Sequence, residues 1–199
     1  MKNPINYLLR LVGYEVRKKL PYLRPSMQYI HDNLGEELIG VEVGVYEGEH
    51  ALRILNKLSI TKLFLVDPFL IGGDYEGDWM PNKTQDEFDQ VELKARTILG
   101  KFGKKKEFIM KPSVEAAKEF NDDSFDFVYI DGAHSYKDIK EDIDTWYPKV
   151  RKGGVLAGHN IQNHLNPAEQ NGVADAVVEL VTKKSYKLHI GSEDWWIVK

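Results

Sequence analysis

Between residues 38 and 158 the chain repeats one pattern: an apolar run of strand length, a turn, then a segment with helical spacing. Apolar runs fall at 38–43, 62–66, 106–110, 125–130 and 155–158, and helical spacing at 49–58, 84–99, 114–120 and 136–147. Strands that read as continuous apolar runs, rather than as alternating ones, are buried on both faces. That requires a mostly parallel sheet covered by helices on each side. Strict alternation of strand and helix, with right-handed crossovers, gives a doubly wound α/β fold. A further helix at 173–182 and two closing strands at 186–190 and 195–198 bring the expected sheet to seven strands. Arg151-Lys152-Gly153-Gly154 reads as a tight turn ahead of the fifth strand. Thr84 followed by Glu87 reads as a capping box that starts the helix at 84.

The chain before this alternation is different in kind. Residues 3–24 mix Ile5, Leu8, Leu9, Leu11, Val12 and Val16 with Arg10, Arg17, Lys18, Lys19 and Arg24, the pattern of a basic amphipathic helix. Such a helix packs on the domain or on a second subunit, which leaves a homodimer open; weak attachment to a membrane surface is the alternative. With a short helix at 27–34 it forms an N-terminal helical extension, residues 1–34, ahead of a single domain at 35–199. A net charge of -4 supplies no positive field for nucleic acid. No run approaches the roughly 20 apolar residues that span a bilayer. Cysteine is absent, so thiolate nucleophiles and thiolate metal sites are excluded, and the expectation is a cytoplasmic protein that works on a small molecule.

In open α/β sheets ligands bind at the carboxyl ends of the strands, and here those ends are polar. The first strand runs out through Glu42-Val43-Gly44-Val45-Tyr46-Glu47-Gly48, where Gly44 and Gly48 allow close backbone approach and a sharp turn into the helix. This is not the G-x-G-x-x-G of dinucleotide sites. Glu42 and Glu47 would repel a pyrophosphate and welcome a cationic, phosphate-free cofactor. Asp67 ends the second strand, where an acid can accept from both hydroxyls of a ribose; its alternative is an Asp-Pro turn. Residues 69–83 are rich in Gly, Asp and aromatics and read as a lid carrying Tyr75, Trp79 and Met80. His50 and His164 read as solvated, and Lys104 to Lys106 as a solvated turn.

The E-x-G-x-x-x-G turn, the acid Asp67 and the strand end at Asp131 together resemble class I S-adenosylmethionine-dependent methyltransferases, over roughly residues 38–199. The stretch from Phe127 through Asp131-Gly132-Ala133-His134-Ser135-Tyr136, with Asp138, Asp142, Trp146 and Gly153-Gly154-Val155-Leu156-Ala157-Gly158-His159-Asn160, is similar to methyltransferase family 24. That branch resembles sugar and macrolide O-methyltransferases and, more distantly, catechol-type O-methyltransferases that use a divalent cation. The resemblance implies a Rossmann-like methyltransferase fold that methylates a small hydroxylated acceptor such as a sugar, polyketide or aryl group. It implies that Glu42, Gly44 and the backbone of Tyr46, Glu47 and Gly48 hold the methionine part of the cofactor. Asp67 would hold the ribose, and Ser113 with Val114 the adenine edge. Asp131, His159 and Asn160 close the fourth and fifth strands and could converge on a metal; Asp and Asn oxygens suit Mg2+. The catechol-type pattern has Asp-Asn at the last two of these positions and the family 24 pattern more often His-Asp, so His159-Asn160 departs from both; His159 either shifts the preference toward a softer metal or faces substrate while Asp131, Asn160 and waters hold Mg2+. His134 occupies the position of the catechol-type lysine base, and an imidazole of pKa about 6.5 can serve there. Its alternatives are to cap the following helix or to contact the cofactor carboxylate. The rival functions are a metal-independent N- or O-methyltransferase, in which Asp131 only orients substrate, and a noncatalytic nucleotide-cofactor-binding module.

Overall fold

The computed structural model describes residues 23–70, 84–161 and 172–199. The expected basic helix, apart from its last two residues, lies outside the described residues, as do Tyr75, Trp79, Met80 and His164.

Helix α1 (Pro25–Asn33), opened by a proline whose fixed φ suits a first turn, leads into β1 (Leu38–Val43). The alternation follows: α2 (Glu49–Lys57), β2 (Ile60–Val66), α3 (Gln85–Leu99), β3 (Lys106–Ile109), α4 (Ser113–Ala117), β4 (Phe125–Ile130), α5 (Tyr136–Trp146) and β5 (Val150–Gly158). Helix α6 (Gly172–Lys184), β6 (His189–Gly191) and β7 (Asp194–Val198) complete it. Thr84 and Glu87 form the capping box that the sequence predicts at the start of α3.

The seven strands lie in the order β3-β2-β1-β4-β5-β7-β6. Strands β1 to β5 pair in parallel, whereas β7 runs antiparallel to both of its neighbours, β5 and β6. Successive residues of β4 feed opposite faces of the sheet. Phe127 and Tyr129 pack with Met27, Ile30, Ile54 and Leu99 of α1 to α3, while Val128 and Ile130 pack with Ile139, Ile143, Trp146 and Val177 of α5 and α6. Met27 and Ile30 are fully buried, so α1 belongs to the same core as the sheet. None of the helices among the described residues is long and apolar enough to cross a membrane.

Three local expectations change. Arg151 to Gly154 is not a turn but part of β5, where the pairing with β4 slips between Phe125 and Phe127. Gly153 takes φ +76 there, a backbone state that glycine adopts without strain. Strand β6 is confined to His189–Gly191, because only those residues find partners on β7. Helix α4 stops after five residues, capped by Lys118.

Candidate functional site

Strands β1 and β4 are neighbours, yet the chain leaves β1 toward β2 on one side and continues from β4 to β5 on the other. Diverging crossovers open a crevice at the carboxyl ends of this pair. A cavity of about 390 Å3 occupies it. The cavity is lined by Glu42, Gly44, Tyr46, Glu47, Asp131, His134, His159 and Asn160, so most of the expected site residues converge. Gly48, Asp67, Ser113 and Val114 do not line it.

The turn after β1 is held from behind. Asp67, 1% exposed, accepts from the amides of Val45 and Tyr46 on Oδ2 and of Phe69 on Oδ1, each at 2.9 Å. Its carboxylate therefore sets the path of the turn, whatever else it contacts. Gly44 sits at φ +84, and a Cβ there would lie 2.1 Å from the Asp131 carbonyl oxygen. The absent side chain thus serves the contact between the turn and the end of β4, rather than a ligand. The Asp131 amide donates to Val43 O at 2.7 Å across the same seam. Gly48 caps α2, and Glu47 pairs with Lys94 of α3.

Glu42 and His50 form a buried pair at the floor of the cavity, with His50 Nδ1 2.8 Å from Glu42 Oε1. His50 is 8% exposed and not solvated as its sequence context suggested; its ring lies 4.4 Å from that of Tyr129. Burial pushes the Glu42 carboxyl above its ordinary range, against the pull of the His50 contact. Glu42 Oε2 and His50 Nε2 have no partner among the described residues.

Asp131 is the hub of a charged network. Arg24, just ahead of α1, donates from Nη1 to Asp131 Oδ2 at 2.7 Å and to the Tyr129 hydroxyl. His159 Nδ1 lies 3.5 Å from Asp131 Oδ1, and its Nε2 lies 3.1 Å from Glu193. Burial opposes charge on Asp131, but His159 and Arg24 outweigh it and hold the carboxyl well below the usual carboxylate range. Behind it, Tyr129 donates to Asp194 Oδ1 at 2.9 Å, and the Ser26 hydroxyl donates to Asp194 Oδ2. His134, 8% exposed, meets the Asn160 side-chain amide at 2.7 Å through Nε2. Ser135, not His134, caps α5 by accepting from the Asp138 amide.

Two expectations fit this geometry poorly. Asp131, His159 and Asn160 do lie near one another, but the guanidinium on Asp131 takes one carboxylate oxygen and puts a positive charge where a cation would sit. No group of three or more His, Asp or Glu that could hold a metal is found among the described residues. The Ser113 hydroxyl is engaged in the core, donating to Asp142 and accepting from Trp146 Nε1 at 2.8 Å.

Arg24, His50 and Glu193 reach the site without being expected there. The signal for His50 was present: in a strand-turn-helix unit, the second residue of the helix returns over the strand end eight residues earlier, where Glu42 stands. Arg24 and Glu193 carry no such signal, because their contacts span 107 residues in one case and depend on the β6–β7 turn in the other.

The family model described as a methyltransferase domain, methyltransferase family 24, matches residues 41–161. An uncharacterised protein, R132, of Acanthamoeba polyphaga mimivirus is 26% identical over 191 residues, spanning 83% of this chain and 77% of its own. Among solved structures, a Corynebacterium glutamicum protein superposes with TM-score 0.65 at 16% identity, covering 99% of this chain and 97% of that one. A candidate caffeoyl-CoA O-methyltransferase of Staphylococcus aureus gives 0.61 at 14%, over 98% and 91%. A candidate methyltransferase of Streptococcus mutans in complex with S-adenosylhomocysteine gives 0.61 at 13%, over 87% and 95%.

Proposed function

Because this chain belongs to methyltransferase family 24, a family of S-adenosylmethionine-dependent enzymes, we propose that it methylates a hydroxyl group of a small acceptor and does so without a divalent cation. The observation that carries the reading is Glu42 Oε2, buried at the end of β1 in a residue that lines the cavity and without a partner among the described residues. A buried carboxylate oxygen without a donor is costly, and a cationic ligand offsets that cost. The ammonium of the cofactor would be such a cation, held by Glu42 and Asp131, with the Gly44 to Glu47 turn to hold the rest of the methionine part.

When bound, S-adenosylmethionine supplies a methyl group on a positively charged sulfur. The chain's own residues do the remaining work. Glu42 and Asp131 would orient the amino-acid end, and Asp67 fixes the turn that bears on it. His134 takes the proton that the acceptor hydroxyl loses as its oxygen is methylated, on the Nε2 lone pair that accepts from the Asn160 amide in the free protein and is released when the acceptor binds. The Arg24 contact supports a route without a divalent ion, since it takes one of the two Asp131 oxygens that such an ion would draw on. The acceptor, a sugar, polyketide or aryl group, would be chosen by segments that border the cleft.

The test is transfer of tritiated methyl to a panel of hydroxylated sugars, polyketides and phenols, with and without chelator. Turnover should persist in chelator; its loss would restore the metal-assisted route. His134→Ala should lower kcat by roughly 100- to 10,000-fold while S-adenosylhomocysteine still binds by titration calorimetry. Full activity in that variant would remove the base role and favour a nitrogen acceptor, which needs no base of this kind.

A further inference from the structure

The cavity presents carboxylates at Glu42, Glu47 and Asp131, and against them stands the guanidinium of Arg24. Among the described residues only Nη1 of Arg24 is engaged, by Tyr129 and Asp131. Its Nε and Nη2, which carry three of the five guanidinium N–H groups, meet no acceptor among the described residues. The side chain is 22% exposed and lines the cavity. The unused edge is the planar fork that matches a carboxylate in two parallel hydrogen bonds. On the floor of the same cavity, Glu42 Oε2 wants a donor. An α-amino-acid group carries ammonium and carboxylate on one carbon, so its complement is an acid and a base side by side. Asp131 and Arg24, 2.7 Å apart, are such a pair.

We propose that Arg24 binds the α-carboxylate of the cofactor, with Glu42 and Asp131 taking the ammonium beside it. This deepens the methyltransferase reading and rests on it. It makes the segment ahead of α1 part of the cofactor site. Hydrogen bonds at both ends anchor that segment, since Ser26 and Tyr129 each reach Asp194, which fixes the approach of Arg24 to the cleft.

The experiment compares two ligands by titration calorimetry: S-adenosylhomocysteine, and 5′-methylthioadenosine, which keeps the nucleoside and sulfur but lacks the amino-acid end. Wild type should bind the first more tightly. Arg24→Ala should weaken S-adenosylhomocysteine by about 10- to 100-fold and leave methylthioadenosine within about twofold, and Arg24→Lys should recover part of the loss. The methylthioadenosine arm reports an intact cavity, so a folding defect is separated from a lost contact. The proposal is overturned if both ligands weaken together, if neither does, or if Arg24→Ala raises KM only for acceptors that carry a carboxylate. Equal wild-type affinity for the two ligands would overturn this proposal and leave the cofactor reading intact. Wild type that binds neither would overturn both.

Discussion

Replacing Asp67 with asparagine keeps the size and shape of a side chain that is 1% exposed, and changes only its charge and one acceptor atom. Three amides converge on the carboxylate: Val45 and Tyr46 on one oxygen, Phe69 on the other. In Asp67→Asn the remaining oxygen keeps the first two, and the new NH2 faces the Phe69 amide; the reverse rotamer is worse, since two donors then lose their acceptor. A buried donor without a partner costs about 1–3 kcal/mol, and hydrogen bonds to a neutral acceptor are about half as strong as those to a carboxylate. The expected destabilisation is about 2–4 kcal/mol. For a domain of this size 1 kcal/mol shifts Tm by roughly 2–4 °C, so scanning calorimetry should show a fall of roughly 5–15 °C. Because the loosened residues belong to the turn that lines the cavity, S-adenosylhomocysteine should also bind more weakly. A Tm within about 2 °C of wild type would refute the clamp argument. If affinity collapsed while Tm held, the carboxylate would be acting on the ribose, as the strand-end position suggests.

Gly44→Ala should destabilise by about 3 kcal/mol or more in urea titrations, because the new Cβ meets the Asp131 carbonyl at 2.1 Å in a left-handed backbone; wild-type stability would contradict that seam. Glu42→Gln should weaken S-adenosylhomocysteine by about 10- to 100-fold in calorimetry without lowering Tm, since burial already disfavours the charge; unchanged affinity would remove Glu42 from the cofactor site. The Asp131 carboxyl has a lowered folded-state pKa, so the stability it contributes is present above its unfolded pKa of about 3.9 and is lost as pH falls toward the lower folded value. Urea midpoints of wild type and Asp131→Asn should therefore differ at neutral pH and converge as pH drops below about 4; a gap that widens in acid would reverse the assignment.

The order of strands and helices was legible because burial on both faces leaves an unmistakable apolar run, and strand ends could be named from where those runs stop. That is why Glu42, Asp131, His134, His159 and Asn160 could be assigned to one crevice, whose wall they share in the fold. What the sequence conceals is how each polar atom is spent. Asp67 at a strand end reads equally well as a ribose acceptor or as a turn clamp, and only coordinates show three amides on it. The family resemblance assigns an adenine edge to Ser113, yet its hydroxyl is committed to Asp142 and Trp146. Arg24 falls in a basic amphipathic run where one cation looks like another, and its ion pair with Asp131 engages a carboxylate expected to hold a metal.

The Asp194 carboxylate that receives Ser26 and Tyr129 lies 168 residues downstream of Ser26. At roughly 5–20 residues per second, a ribosome needs about 10–30 s to travel that distance. Throughout that interval the growing chain can lay down β1 to β5 in order, but the strand that carries the docking point for the earliest described residues does not yet exist. Met27 and Ile30 can meet Phe127 and Tyr129 of β4 by then, but the anchor at Asp194 is still missing. The docking of α1 is therefore completed late in synthesis, once β7 has paired with β5 and brought Asp194 to Ser26 and Tyr129.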